Sequence, residues 1–393
     1  MLSLLAAILV FGLIIMFHEF GHFLLAKRGG ICVVEFSIGM GPRLISFNKG
    51  GTRYSLKLIP FGGSCMMLGE DDDLSEESLE EKAEENISGK AAILETENPD
   101  GKAEEKEDEK VRTRSYAGIE LPPGATGVSF NETSVWTRFL VIVAGPVFNF
   151  ILAFFCAMFV IGYVGYDPAE VYQVSEGYPA AEAGIQPGDV ITKINGKNIR
   201  IYRDILGYTS FHPGETLSIE YKRDGQKNAV TVTPQYSEEN GYKIGISGGV
   251  YKKSESIFQT MKYSAIEVRY WIVTTFESLG MIFKRQVSAD DIAGPVRIVT
   301  MIDSTVKESS EYGLMVVLVN LANMCVLLSA NLGIMNLLPI PALDGGRLVF
   351  IILEAIRGKA IDREKEGMVH MAGMAVLMVL MVFILFNDIR NLF

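Results

Sequence analysis

Apolar residues gather into four stretches long enough to cross a bilayer, which takes about 20 helical residues. They cover about 2–25, 135–164, 314–338 and 368–386. The first has no basic leading region and no small-residue cleavage site after it, so it reads as a retained helix rather than a signal peptide. A further hydrophobic segment, 265–283, contains Glu267, Arg269 and Glu277. A charge at mid-bilayer costs about 2.5–3.5 kcal/mol on insertion scales. This segment therefore reads as an amphipathic interfacial helix and not as a fifth span.

Between the second and third stretches the pattern changes from continuous to alternating. Val171-Tyr172-Gln173-Val174 predicts a strand, and Pro179 to Ile185 a short helix stopped by Gly184. Pro187-Gly188-Asp189-Val190-Ile191 and Ile194-Asn195-Gly196 predict strands joined by turn residues. Alternating runs at 217–221 and 229–232 complete a small β-rich unit over 166–250. Its order of strand, short helix, Gly-Asp turn and Asn-Gly hairpin resembles a PDZ domain, which speaks to fold and not to ligand.

Basic residues orient the spans. Lys27, Arg28, Arg43, Lys49, Arg53 and Lys57 follow the first, and Arg347, Arg357, Lys359, Arg363 and Lys365 separate the third from the fourth. The positive-inside bias makes both loops cytoplasmic and puts both termini and the β-rich unit outside. The formal net charge of −11 is unevenly spread. Between Glu70 and Lys110 lie 18 acidic and 5 basic residues, so the remainder carries +2. That acidic insert, 70–115, almost lacks aromatics and is expected to be a disordered cytoplasmic spacer. The mean hydropathy of +0.24 fits spans combined with an aqueous domain. Cys32, Cys65, Cys156 and Cys325 show no metal or disulfide spacing, which leaves them packing roles. No basic, aromatic-interleaved patch points to nucleic acid.

The candidate chemistry sits in the first span, in His18-Glu19-Phe20-Gly21-His22. Two histidines four apart share a helix face and can hold one zinc ion, with Glu19 as general base. Ionisable residues in an otherwise apolar helix are costly and usually functional. A catalytic zinc normally has a third protein ligand. His212 falls in the outer unit, and His370 belongs to no motif and reads as an interfacial residue. Asp344 fits, in the run Asn336-Leu337-Leu338-Pro339-Ile340-Pro341-Ala342-Leu343-Asp344-Gly345-Gly346-Arg347 after the third span. Two prolines break helical bonding there, and irregular backbone at membrane depth needs protein or water around it. Two other readings compete: a catalytically silent PDZ-containing scaffold or receptor, and an ion or proton transporter. A retained Glu19 argues against the first, and the lack of internal repeats against the second.

Together these motifs resemble the site-2 protease family, in its bacterial RseP-type branch. The similarity runs through nearly the whole chain and includes Pro60-Phe61-Gly62-Gly63, Gly145-Pro146-Val147-Phe148-Asn149 and Ala293-Gly294-Pro295-Val296. It implies that His18, His22 and Asp344 bind Zn2+ and that Glu19 is the catalytic base. Asn336, Pro339 and Pro341 would lie along the substrate, and the Gly62-Gly63 loop would form a re-entrant β-hairpin that pairs with it. The expected fold is a polytopic α-helical membrane protein with four transmembrane helices, a small PDZ-like domain and that hairpin. Its expected divisions are 1–69, the insert 70–115, the second span 116–165, the PDZ-like domain 166–250, interfacial helices 251–312 and the last two spans 313–393. The implied activity is cleavage of single-span membrane proteins, such as trimmed anti-sigma factors or remnant signal peptides, in a bacterial plasma membrane. Peptide ends are possible ligands of the PDZ-like domain.

Overall fold

From the N-terminus the chain forms helix α1 (Leu2–Arg28), strands β1 (Val33–Lys49), β2 (Thr52–Met67), β3 (Ser115–Tyr116) and β4 (Ile119–Glu120), and helix α2 (Val135–Val164). Then come β5 (Gln173–Val174), α3 (Pro179–Glu182), β6 (Val190–Ile194), β7 (Lys197–Asn198) and α4 (Tyr202–Phe211). Strands β8 (Leu217–Arg223), β9 (Gln226–Val232), β10 (Gln235–Ser237), β11 (Gly241–Lys243) and β12 (Ile246–Ser247) follow. Helices α5 (Ile257–Phe283), α6 (Pro295–Ser310), α7 (Leu314–Leu337), α8 (Asp344–Arg357) and α9 (Arg363–Arg390) close the sequence. These elements belong to a computed structural model that describes residues 2–70, 115–116, 119–238, 241–284, 286 and 293–390. The expected disordered insert lies almost wholly outside the described residues.

Helices α1, α2, α7 and α9 are long and apolar enough to cross a membrane, as the hydrophobic pattern predicts. On α9, Met371, Met374, Val376, Val379, Val382 and Phe386 are all exposed. Apolar side chains exposed around a whole helix require a hydrocarbon surrounding. The chain is an integral membrane protein.

The chain divides into two compact units. One comprises Phe11–Gly145 and Leu337–Leu377. Within it β1 and β2 form more than a simple hairpin. Residues Glu35 to Ile38 pair with Gly63 to Met66 on one side and with Arg53 to Leu56 on the other, and Leu56 to Thr52 pair onward with Ile45 to Lys49. Gly63 to Met67 is thus an edge, with no second strand beside it among the described residues. The outer part of the sheet exposes Met40, Leu44, Ile45, Leu58 and Ile59. Near its base Glu35 is 2% exposed and takes both Nε and Nη2 of Arg43, at 2.9 and 2.8 Å. Burial alone would push the Glu35 carboxyl up, but Arg43, Ser55 and Lys57 outweigh it and hold it at about 2. Ala26, Ile31, Val33, Val141, Ile142, Leu348 and Ile351 form the core that ties this sheet to α1, α2 and α8. Arg138 of α2 adds a paired contact to Glu354 of α8 at 2.6 and 2.9 Å.

The second unit comprises Met1–Val10, Pro146–Asn336 and Met378–Phe393. It contains the β-rich domain, whose four-stranded sheet has the order β7-β6-β8-β9. Ile191, Ile194, Ile205, Leu217 and Ile219 fill its core. Along β8 the alternating pattern puts Leu217, Ile219 and Tyr221 on one buried face. Helix α5 starts at Ser256, whose Oγ accepts the Gln259 N–H at 3.2 Å. The three charges that argue against a fifth span all meet the β-rich domain: Glu267 with Arg203 at 2.7 Å, Glu277 with Lys197 at 2.8 Å and Arg269 with Asp204 at 3.6 Å. Its apolar side, Val268 with Trp271 and Ile272, packs on Ala153, Ala157, Val326 and Ala330 of α2 and α7. The Ala293-Gly294-Pro295-Val296 motif starts α6, and Asp388 caps it by accepting the N–H groups of Gly294, Val296 and Arg297 at 3.0–3.1 Å.

Candidate metal centre

The 3.6-residue helical period places His18 and His22 one turn apart on α1. Both are buried, with their Nε2 atoms 3.2 Å apart. His22 Nδ1 lies 2.8 Å from the Val141 carbonyl. A carbonyl only accepts, so Nδ1 carries a proton, and in the neutral imidazole Nε2 is the atom left with a lone pair. Such a bond fixes both tautomer and ring orientation in metal-binding histidines.

Asp344 begins α8, where a carboxylate suits the positive helix end. Its Oδ2 is 3.2 Å from His18 Nε2 and 3.5 Å from His22 Nε2. That oxygen is buried and has no hydrogen-bond partner of good geometry among the described residues. The three ligand atoms lie within 4.8 Å of one another. Two imidazole nitrogens and a carboxylate oxygen converging on one point match the need of a cation. Two imidazoles and one carboxylate are a donor set for zinc that leaves a position open for water or substrate.

The route to Asp344 is irregular, as the prolines predict. α7 ends at Leu337, and Pro339 and Pro341 fall in the non-helical turn that follows. Ala342 takes φ +76°, and its N–H donates to His370 Nδ1 at 2.9 Å. Asn336 occupies the last turn of α7. Gly63 passes against Glu19: a Cβ added there would stand 3.1 Å from Glu19 Cγ. Gly62 has φ +97° and faces the Met40 side chain. The structure thus brings His18, His22 and Asp344 together and sets the Gly63 edge beside Glu19.

Three contributors escape a reading by motif chemistry. Gly145 of α2 lies so close to the histidines that a Cβ would fall 2.3 Å from His22 Nε2 and 2.8 Å from His18 Cε1. Gly21 mirrors it on α1, where a Cβ would meet the Ala144 carbonyl at 2.4 Å. Small residues allow such close helix approach in a membrane, a signal the sequence carries at Gly145. The second contributor, the Val141 carbonyl, has no side-chain signature. The third is His370, which is not merely an interfacial residue, because it holds the turn before Asp344. His212 belongs to the β-rich domain, where it bonds the Tyr208 carbonyl at 3.0 Å and stacks on the Tyr208 ring.

The family model described as "Peptidase family M50" matches residues 6–380. "Zinc metalloprotease RasP" of Bacillus licheniformis is 36% identical, covering 100% of this chain and 99% of its own. "Regulator of sigma-W protease RasP" of Bacillus subtilis is also 36% identical, over 100% of this chain and 99% of that one. Among solved structures, the PDZ domain of an SdrC-like protein from Listeria monocytogenes is 26% identical with a TM-score of 0.20. It covers 22% of this chain and 90% of that one. A family match over residues 6–380, together with full-length relatives above 30% identity, gives the conclusion that the chain belongs to peptidase family M50.

Proposed function

We propose that this peptidase is an intramembrane zinc metalloprotease in which His18, His22 and Asp344 hold the metal and Glu19 is the general base. The convergence of His18 Nε2, His22 Nε2 and Asp344 Oδ2 carries the reading. Full-length relatives described as zinc metalloproteases support it. Zinc, when bound, acidifies water and polarises a peptide carbonyl. Glu19 takes a proton from the attacking water as the new C–O bond forms, then delivers it to the amine that leaves as the C–N bond breaks. Val141 keeps His22 in the ligating tautomer throughout.

A substrate helix hides its carbonyls in i to i−4 bonds, so it must be locally unwound before attack. The Gly63–Met67 edge beside Glu19 offers backbone groups to an extended substrate by strand addition. Asn336, Pro339 and Pro341 would flank that strand. The substrates would be single-span membrane proteins, trimmed anti-sigma factors or remnant signal peptides among them; one full-length relative is described as a regulator of sigma-W protease. The basic loops support an orientation with the metal centre toward the cytoplasm of a bacterial plasma membrane and the β-rich domain outside. The test is a trimmed single-span substrate reconstituted with the full chain. Wild type should cleave it and Glu19→Gln should not, with zinc retained; equal cleavage by the variant would refute Glu19 as the base.

A further inference from the structure

A cavity of about 170 Å³ lies within the second unit, between α2, α5, α7 and the β-rich domain. One wall is apolar and includes Val160, Val164 and Val319. The lining also holds the charged groups Asp167, Arg203 and Glu267 and the amides of Asn320 and Asn323. Asp167 is only 4% exposed, and its Oδ1 has no hydrogen-bond partner among the described residues. The carboxylate does receive the Arg203 backbone N–H, and burial pushes its carboxyl up.

The charges around the cavity do not balance. Glu267 already uses both oxygens, one for Arg203 Nη2 at 2.7 Å and one for Trp271 Nε1 at 3.1 Å. Arg203 gives only Nη2 to Glu267, and its charge also acts on Asp167, so one guanidinium serves two carboxylates. The neighbouring cations are engaged too, Arg269 facing Asp204 and Lys252 donating to Glu170. Asp167 and Glu267 together are left one positive charge short, and Asp167 Oδ1 at least one donor short, in a place where an uncompensated buried charge is expensive.

We propose that this cavity is a binding site for a primary ammonium group carried on a short alkyl chain. Such a group supplies the missing charge and N–H donors to Asp167 Oδ1. Its carbons would lie on Val160, Val164 and Val319, which line the same cavity. A bare divalent metal fits poorly, because one spare carboxylate oxygen falls short of its usual six or more oxygen ligands. Among the described residues, the only gathering of three metal-ligating side chains is at His18, His22 and Asp344. Since Val164 ends a membrane span, the ammonium has two natural sources: an ethanolamine lipid headgroup or a soluble amine.

The test uses the full chain purified in detergent and in nanodiscs. In detergent, ethanolamine hydrochloride is titrated against sodium chloride at equal ionic strength while the unfolding midpoint is followed. In nanodiscs, phosphatidylethanolamine is compared with phosphatidylglycerol alone. Wild type should gain about 3 °C or more from at least one ammonium source, by preferential binding to the folded state. A shift from the lipid alone assigns a headgroup, and a shift from free ethanolamine assigns a soluble amine. Asp167→Asn keeps an acceptor for the Arg203 N–H and should lose the shift. Val160→Phe narrows the apolar wall, leaves the charges in place and should lose it as well. No shift above sodium from either source, or an undiminished shift in a folded variant, would overturn the proposal.

Discussion

The Ala342 N–H donates to His370 Nδ1 at 2.9 Å, two residues before Asp344. The bond holds Ala342 at φ +76°, a conformation that costs a non-glycine residue about 1 kcal/mol or more. His370 thereby acts as a positioning residue for Asp344. His370→Ala should weaken zinc binding and cleavage by about 10- to 100-fold, the range for partners that orient metal ligands. His370→Gln keeps an acceptor and should recover much of the loss. Zinc affinity by chelator competition, measured beside cleavage, checks this; equal zinc affinity in wild type and His370→Ala would refute the role.

Gly145 permits the close approach of α2 to the imidazoles. Gly145→Ala puts a methyl 2.3 Å from His22 Nε2, and the neighbouring atoms are rings and backbone that cannot simply swing away. Zinc retention and cleavage should both fall by about 100-fold or more, since misplacement of about 1 Å has that effect. Gly162→Ala in the same helix is the control. It meets nothing within 4 Å and should be neutral or stabilise by about 0.5–1 kcal/mol.

The spans and three metal-ligand candidates were legible because their signals are periodic or local. A helix converts the spacing of His18 and His22 into a shared face, and charge in an apolar run draws attention to both. Asp344 was legible only through its pairing with that motif. His370 was not, because a lone histidine gains its meaning from Ala342, 28 residues away and on another element. The charges of α5 are legible as unsuited to lipid, yet their partners Arg203, Lys197 and Asp204 come from the β-rich domain and no periodicity reveals them. The Gly62-Gly63 loop suggested a hairpin. The doubled pairing of Glu35 to Ile38 depends on long-range register, which local pattern does not fix.

Gly63 separates base placement from metal binding. Gly63→Val puts a branched side chain where even a Cβ stands 3.1 Å from Glu19 Cγ and 3.2 Å from Ile15 Cγ2. The turnover number should fall by about 10-fold or more while zinc content stays at the wild-type level. A fall in zinc content equal to the fall in turnover would contradict this assignment.

Glu35 gives the sheet a pH dependence. Its folded-state pKa of about 2 lies below the ordinary 4.5, so its contribution is complete above about 4.5 and is lost as pH falls toward 2. The difference corresponds to on the order of 3 kcal/mol when the carboxylate is charged. Wild type should therefore be more stable than Glu35→Gln at pH 7, and the gap should close between about pH 4.5 and 2. Unfolding midpoints of the two proteins across that range check it.

The central claim is that His18, His22 and Asp344 form one zinc site, and bound zinc per chain in Asp344→Ala measures it most directly. Wild type and Glu19→Gln should each hold one zinc after exhaustive dialysis against a weak chelator, and Asp344→Ala should lose it. Full zinc retention by Asp344→Ala would contradict the account.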